Sequence, residues 1–315
     1  MVKDTTKSLK AKERYKLSNW TDYNESLKKR GSLTVWFDDS AKGGWLYKGT
    51  QKPGGEIIYS DVAIEFCLTI RSLFRLPYRQ TEGMVKSLMT MSGLNLPVPS
   101  YTQFNRRTKR VVVKLSNSNE DVHVVFDSTG LKVYGEGEWK VRKHGWSKHR
   151  TWRKMHLAIN AQTLAIEAVT MTGNNADDGS QVKPLLNAIK GKIISATGDG
   201  GYDKEKVRQQ LTEQGIRQII PPQENAVIKD ENEPYAQQRN EAIKRIKETD
   251  RRTWKEETAY HRRSLVEVAM FRYKTIFTGT LQSRKMEYEN NEVAFKCLLL
   301  NKMNDLGRPK SYKVT

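Results

Sequence analysis

The sequence predicts a mixed α/β protein in which a small all-helical domain precedes a mixed β-sheet flanked by helices. The main observation is a change of hydrophobic period, from helical spacing before residue 117 to alternation after it. The second is charge, because 55 Lys and Arg residues against 36 Asp and Glu residues leave a formal net charge of +19. Such an excess favours a polyanionic partner, and nucleic acid is the first candidate.

Composition also excludes several classes of protein. The two cysteines, Cys67 and Cys297, are too few for a disulfide framework or a Cys-rich zinc module. No apolar run approaches the length of a transmembrane helix, and the Lys-rich start lacks the apolar stretch of a signal peptide. We therefore expect a cytoplasmic protein with no membrane partner.

The N-terminal part is predicted to comprise a basic arm, residues 1–58, and a helical domain, residues 59–118. The arm ends in the breaker run 52–55 and shows no functional pattern. Three short helices follow, of which the first stops before Pro77, the second ends near Gly93 and the third starts near residue 100. The outward face of the third helix carries Arg106, Arg107, Lys109 and Arg110. This is typical of a helix-turn-helix DNA reader, although an ordinary helical domain with a solvated basic face fits equally well.

Residues 119–279 are predicted to form the sheet domain. The alternating residues Val122, Val124 and Phe126 indicate a first strand that ends at Asp127. The elements that follow are a hairpin (152–159 and 165–171), a helix (178–190), a strand (193–196), a helix (204–214) and a strand (216–220). Three meander strands followed by two crossover units give the order of the ribonuclease H-like fold.

The last third of the chain is predicted to be helical. Residues 223–257 are dense in charge and poor in aliphatic side chains, which indicates an insertion rather than core. A long helix is expected from about Glu257 to Phe277. Residues 280–315 are expected to form a final helix and a basic, frayed tail.

Two acidic residues mark the ends of predicted buried strands. Asp127 ends the first strand, and Asp199 lies between glycines just after the strand at 193–196. Strand ends collect functional groups in open α/β sheets, and two adjacent carboxylates would repel each other without a cation between them. They therefore suggest a Mg²⁺ or Mn²⁺ site. The alternative is that each Asp begins an ordinary turn. Asp203 is a second candidate for the role of Asp199, but it falls at the start of the following helix, where a role as the helix cap is sufficient to explain it.

The predicted long helix presents a third acid. Tyr260, Arg263, Glu267 and Lys274 fall within about 60° on one helical face. Glu267 would complete a two-metal site, while Arg263 and Lys274 would neutralise phosphates. The alternative is a solvated face with an ion pair between Arg263 and Glu267.

These residues resemble a known family. The spacing of Tyr260, Arg263, Glu267 and Lys274 is similar to the signature helix of bacterial insertion-sequence DDE transposases. The sequences around Asp127 and Asp199, and Leu76 to Gly83 in the helical region, resemble the insertion-sequence five group. The resemblance spans about residues 59–279.

The resemblance implies a function and a set of site residues. Asp127, Asp199 and Glu267 would form a catalytic triad that holds two divalent cations, Mg²⁺ or Mn²⁺. One cation would activate a water or a 3′-hydroxyl, and the other would stabilise the departing 3′ oxygen in an in-line displacement at phosphorus. Tyr260, Arg263 and Lys274 would contact DNA. The function implied is a DNA transposase that binds element ends and performs cleavage and strand transfer.

A second DNA-contacting segment is expected at residues 138–154, where cations alternate with Trp. Phosphates would bind the Lys and Arg side chains, and bases would stack on an indole. The candidate cations are Lys143, Lys148, Arg150 and Arg153. The alternative is a twisted hairpin with its Trp side chains in the core.

Two other functions remain open at this point. A ribonuclease H-like nuclease or resolvase would use the same acids without joining ends, and a DNA-binding regulator would not need them. The expected partners of a transposase are the double-stranded DNA of the element ends and of the target. We also expect a homodimer or larger synaptic complex, associated with the nucleoid.

Overall fold

A mixed β-sheet forms the centre of the protein. The computed structural model describes residues 14–51, 53–115, 120–133 and 152–314. The strands are β1 Arg14–Leu17, β2 Val122–Val133, β3 Trp152–Asn160, β4 Ile166–Gly173, β5 Ile193–Thr197, β6 Arg217–Ile219, β7 Thr280–Leu281 and β8 Ser311–Val314. Within the described residues the central sheet has the order β4-β3-β2-β5-β6, with β7 added to the far end of β2. Strands β2, β3 and β4 are antiparallel, whereas β5 and β6 run parallel to β2. This arrangement confirms the predicted ribonuclease H-like mixed sheet.

Helices cover both faces of the sheet. They are α1 Trp20–Arg30, α2 Leu33–Trp36, α3 Asp39–Gly43, α4 Asp61–Phe74, α5 Tyr78–Met91, α6 Tyr101–Thr108, α7 Val182–Ala188, α8 Glu205–Glu213, α9 Gln237–Glu248, α10 Arg251–Glu257, α11 Ser264–Phe277 and α12 Met286–Asp305. Because side chains alternate along β2, successive residues point to opposite faces of the sheet. Val125 and Leu131 are buried with α11 and α12, whereas Val124 and Phe126 are buried with α7 and α8.

The three helices predicted before the sheet are present as α4, α5 and α6. The Ser60 side chain caps α4, and Ser100 forms a capping box with Gln103 at the start of α6. One cluster of buried apolar side chains runs from this helical layer into the sheet face that carries α11 and α12. The helical region and the sheet therefore share a hydrophobic core.

Three sequence predictions about element bounds are wrong. Strand β2 does not end at Asp127 but continues to Val133, because residues 128–132 keep pairing with β3. The predicted helix from Glu257 to Phe277 is interrupted at Ala259, whose φ of 54° is left-handed. A 3₁₀ turn, Tyr260–Arg263, follows it and leads into α11. The C-terminal tail is not frayed, since β8 pairs antiparallel with β1.

The segment at residues 223–257 packs on the sheet domain. It contains α9 and α10, and both Ile243 and Trp254 are buried. Within the described residues, no helix combines the length and the apolar composition that crossing a bilayer requires.

Candidate active site

Asp127 lies in the middle of β2, on the face that packs against α11. Its parallel neighbour β5 ends beside it, since the last paired residues are Val125 and Thr197. The Asp127 Oδ1 accepts a hydrogen bond of 2.7 Å from the backbone N–H of Ser128. Asp127 is therefore at the carboxyl end of the parallel part of the sheet, although not at the end of its own strand.

Asp199 begins the turn that follows β5. Its Oδ1 accepts a 2.8 Å hydrogen bond from the backbone N–H of Gly201 and so caps a short 3₁₀ turn, Gly200–Tyr202. The preceding Gly198 is required by space, because a Cβ there would lie 2.5 Å from the Phe126 ring. This close approach holds the Asp199 turn against β2.

Arg263 joins two of the predicted acids. Its Nη1 lies 3.4 Å from Asp127 Oδ2, and its Nη2 donates a hydrogen bond to Glu267 Oε1 in the first turn of α11. The ion pair between Arg263 and Glu267 that the sequence allowed is thus present, but the same guanidinium also reaches the sheet. We call Asp127, Asp199, Glu267 and Arg263 the acid cluster.

Electrostatic effects place Asp199 in the same neighbourhood. Burial raises the pKa of Asp127, and the negative charges of Asp199 and Glu267 raise it further, against the lowering effect of the Ser128 N–H and Arg263. Burial also raises the pKa of Tyr260, and the negative charges of Asp199, Asp127 and Glu267 raise it further. The three acids therefore interact as like charges, and Arg263 contacts two of them, Asp127 and Glu267.

Lys274 reaches the sheet about two turns after Glu267 along α11. Its Nζ donates a 2.6 Å hydrogen bond to Oγ1 of Thr129, which is on the same face of β2 as Asp127. The structure thus brings together Tyr260, Arg263, Glu267 and Lys274, as the spacing predicted. Only Glu267 and Lys274 lie on α11, however, because Tyr260 and Arg263 belong to the preceding 3₁₀ turn.

The acid cluster has the chemistry of a divalent-cation site. Three carboxylates provide the hard oxygen ligands that Mg²⁺ and Mn²⁺ prefer, and a cation would relieve the repulsion that raises the pKa of Asp127. In the part of the chain that the structure describes, no three Asp, Glu, His or Cys side chains are close enough together to hold a metal ion. The guanidinium of Arg263 lies between Asp127 and Glu267 instead. The three carboxylates are thus of the chemical type that binds Mg²⁺ or Mn²⁺, but among the described residues they are not placed closely enough to hold an ion.

A polar network on the opposite face of β2 was not found by sequence reasoning. Asp178 accepts hydrogen bonds from the Ser128 hydroxyl and from Lys154 Nζ, both at 3.0 Å. The buried His156 lies 3.8 Å from the same carboxylate. The sequence feature that could have indicated this network is the acidic pair Asp177-Asp178, but such a pair is also typical of the start of a helix. Ser128 is adjacent to Asp127 in β2 and points to the opposite face of the sheet. The network therefore holds β2 in place at the residue next to Asp127.

Asp203, the rival to Asp199, is engaged elsewhere. Its carboxylate is 1% exposed and accepts hydrogen bonds from Arg208 of α8, at 2.9 and 3.1 Å, and from Arg239 of α9. We call these three residues the Asp203 cluster. The prediction that Asp203 caps the following helix is wrong in detail, since Lys204 occupies the N-cap position.

The other predicted DNA contacts have different surroundings. Arg106 and Arg110 are exposed beside a groove of about 480 Å³ that Tyr59 and Tyr288 also line. Arg107 instead donates hydrogen bonds to the Tyr59 carbonyl and the Asp61 carboxylate.

Arg153 is held inside the fold, because its Nε donates a 2.8 Å hydrogen bond to the fully buried Glu289. The candidates Lys143, Lys148 and Arg150 lie outside the described residues.

Comparisons with known proteins identify the family. Among solved structures, the chain is similar to a piggyBac transposase in a synaptic complex with hairpin DNA, with 10% identity and a TM-score of 0.36 over 89% of this chain and 75% of that one. At this TM-score the similarity is too remote to support a conclusion. Two family models, both described as "Transposase DDE domain", match residues 28–136 and 118–302. Since the second match contains Asp127, Asp199 and Glu267 and spans more than half of the 315 residues, the chain belongs to the DDE transposases.

Proposed function

We propose that this transposase binds the terminal inverted repeats of its own element and catalyses metal-dependent cleavage and strand transfer by in-line phosphoryl transfer. The observation that carries the proposal is the geometry of the acid cluster, in which Arg263 contacts both Asp127 on β2 and Glu267 on α11, while Asp199 opens the turn after the neighbouring strand β5. Transposases of this family use divalent metal ions. Membership of the insertion-sequence five group is part of the proposal.

Asp127, Asp199 and Glu267 would hold two ions, Mg²⁺ or Mn²⁺. When bound, the ions would activate the attacking water or 3′-hydroxyl and stabilise the departing 3′ oxygen. Arg263 would then release the carboxylates and bind a phosphate through its bidentate fork, and Lys274 would add a point charge. Tyr260 would present its hydroxyl to the same DNA backbone.

DNA binding is proposed to use two further regions. The helical region, residues 59–118, would contact the element end through Arg106, Arg107 and Arg110. The segment with Lys143, Lys148, Arg150 and Arg153 would contact DNA near the cleavage site. Two element ends require two active sites, which supports a homodimer or a larger synaptic complex, and DNA as the substrate supports a location at the nucleoid.

The test incubates the protein with Mg²⁺ or Mn²⁺ and DNA that carries an element end. We expect cleavage and strand-transfer products from the wild type, and at least a ~1000-fold loss of both in Glu267→Gln with DNA binding retained. Glu213→Gln is the matched control, because Glu213 is an exposed acid at the end of α8. Cleavage that survives Glu267→Gln would contradict the proposed mechanism. Cleavage without joined products would favour a nuclease.

A further inference from the structure

The two helices α9 and α10 separate Asp199 from Tyr260 along the chain, and they contact the surroundings of both residues. This segment is charged and was predicted from sequence to be an insertion outside the core. Two of its contacts lie next to the candidate site. One end is fixed to the turn that carries Asp199, and the other is fixed to the turn that carries Tyr260.

The first contact is the Asp203 cluster. Asp203 directly follows the 3₁₀ turn that Asp199 caps, so its position is coupled to that of Asp199 through three residues of backbone. Arg239 of α9 donates from Nε to Asp203 Oδ1 at 3.1 Å, and the backbone N–H of Gln223 donates to Oδ2 at 3.2 Å. A salt bridge this buried holds its partners in one geometry, because breaking it leaves an unpaired charge. Helix α9 is thereby fixed to the Asp199 turn.

The second contact is a tilted aromatic contact between Trp254 and Tyr260, which we call the stack on Tyr260. The ring of Trp254 in α10 lies 6.0 Å from the ring of Tyr260 at an interplanar angle of 43°, and Lys255 Nζ lies 5.4 Å from the same tyrosine ring. Ala259 adopts a left-handed conformation, with a φ of 54°. An alanine in this region is strained and persists only where surrounding contacts hold it. The stack of Trp254 on Tyr260 is such a contact.

The two helices are also tied to each other and to the sheet. Arg245 of α9 forms an ion pair with Glu257 at the end of α10. Arg251 donates a 2.9 Å hydrogen bond to the carbonyl of Pro222, just after β6. Helices α9 and α10 therefore form a hairpin with fixed ends, and we call residues 237–257 the brace.

We infer that the brace positions Tyr260 relative to Asp199, and that Trp254 is the positioning residue through which it acts. The inference rests on the proposed function, since it concerns the geometry of the acid cluster during DNA cleavage. Trp254 is only 4% exposed, which leaves its indole no free face for a nucleobase. The tryptophan thus acts through Tyr260 rather than by stacking on DNA.

The first test is a double-mutant cycle on single-turnover cleavage with saturating end DNA and Mg²⁺. Trp254→Leu should slow cleavage by about 10- to 100-fold, because small misplacements of site residues are costly, while the Kd for end DNA stays within about twofold. In a Tyr260→Ala background the same substitution should change the rate less than about twofold, since contacting residues are not additive. Equal effects in both backgrounds, or a loss confined to DNA affinity, would overturn the inference.

Tyr235→Leu is the matched control. Tyr235 precedes the brace and receives a similar cation, Lys229 Nζ at 5.4 Å from its ring, on the same charged segment. It takes no part in the stack on Tyr260. We expect this variant to cleave DNA at the wild-type rate.

The second test needs neither DNA nor metal. The protein is labelled with 3-fluorotyrosine, and the ¹⁹F resonance of Tyr260 is assigned by its loss in Tyr260→Phe. Trp254→Leu and the conservative Trp254→Phe should both shift this resonance, whereas Tyr235→Leu should leave it in place. An unshifted resonance in a folded Trp254 variant would overturn the inference. If the wild type fails to cleave DNA but the shift is present, the proposed function fails while the contact between the brace and Tyr260 stands.

Discussion

The acid cluster and the Asp203 cluster use the same residue types for opposite purposes. In the Asp203 cluster one carboxylate receives two guanidiniums, and the side chains of Asp203 and Arg208 are each 1% exposed. In the acid cluster one guanidinium serves two carboxylates, a third acid adds negative charge, and the Glu267 side chain is 50% exposed. The first arrangement is complete and closed to solvent. The second has more negative than positive charge and is open to solvent, which is the arrangement that a bound cation would stabilise.

The largest expected difference between the clusters is in stability. Asp203→Asn should lower the free energy of unfolding by about 3–5 kcal/mol, because it leaves two buried guanidiniums without their counter-charge. The measurement is urea unfolding followed by circular dichroism. Asp177→Asn is the control, since the ion pair of Asp177 with Lys204 is about half exposed and should contribute less than about 1 kcal/mol. Equal losses in the two variants would contradict the description of the Asp203 cluster as a buried, closed arrangement.

Stability against pH should separate the acid cluster from ordinary surface pairs. Burial and the neighbouring acids raise the pKa of Asp127 above its ordinary value of 3.8. The folded state therefore binds the proton of Asp127 more tightly than the unfolded chain does. The resulting stabilisation is complete below pH 3.8 and is lost as the pH rises through the raised pKa of the folded state. Asp127→Asn should thus gain stability relative to the wild type as the pH rises through this range.

The same urea titration of Asp177→Asn provides a comparison of opposite sign. The hydrogen bond from Lys204 lowers the pKa of Asp177, so its contribution is present above 3.8 and lost as the pH falls through the lowered pKa. The cost of this substitution should therefore shrink at low pH. A parallel pH dependence for both variants would contradict the electrostatic description of the acid cluster.

The smallest expected effects concern the basic residues at the end of α6, which stops at Thr108, so that Arg110 lies in the turn after the helix and not on its face as the sequence predicted. A plot of log K against log salt concentration has a negative slope. If each arginine contacts one phosphate, Arg106→Ala and Arg110→Ala should each make this slope shallower by about 0.9. Arg107→Ala should change the slope less, because Arg107 is already engaged by Tyr59 and Asp61. Fluorescence anisotropy with end DNA at several salt concentrations measures these slopes. Unchanged slopes in all three variants would place the DNA on another surface.

Local patterns were sufficient for much of the fold. Alternation placed β2, the hairpin pattern placed β3 and β4, and helical spacing placed α4, α5 and α6. The end of β2 was missed because Asp127, Ser128 and Thr129 are polar. These residues stay in the strand through long-range pairing with β3.

Features that depend on distant contacts could not be predicted. The pairing of β1 with β8 joins the two ends of the described chain, and no local pattern encodes it. The break at Ala259 requires a left-handed alanine, which the helical pattern around it opposes. The three acids were selected from predicted strand ends and helical spacing, although Asp127 lies within β2 and not at its end. The Arg263 bridge between sheet and helix depends on packing and could not.

We propose that Asp127, Asp199 and Glu267 jointly hold divalent cations. The most direct measurement is Mn²⁺ binding by electron paramagnetic resonance, with end DNA present, for the wild type and for Asp127→Asn, Asp199→Asn, Glu267→Gln and the control Glu213→Gln. We expect each of the three acid substitutions to weaken Mn²⁺ binding by at least about tenfold, and the control to leave it unchanged. Mn²⁺ binding that is unaffected by all three acid substitutions would contradict the account.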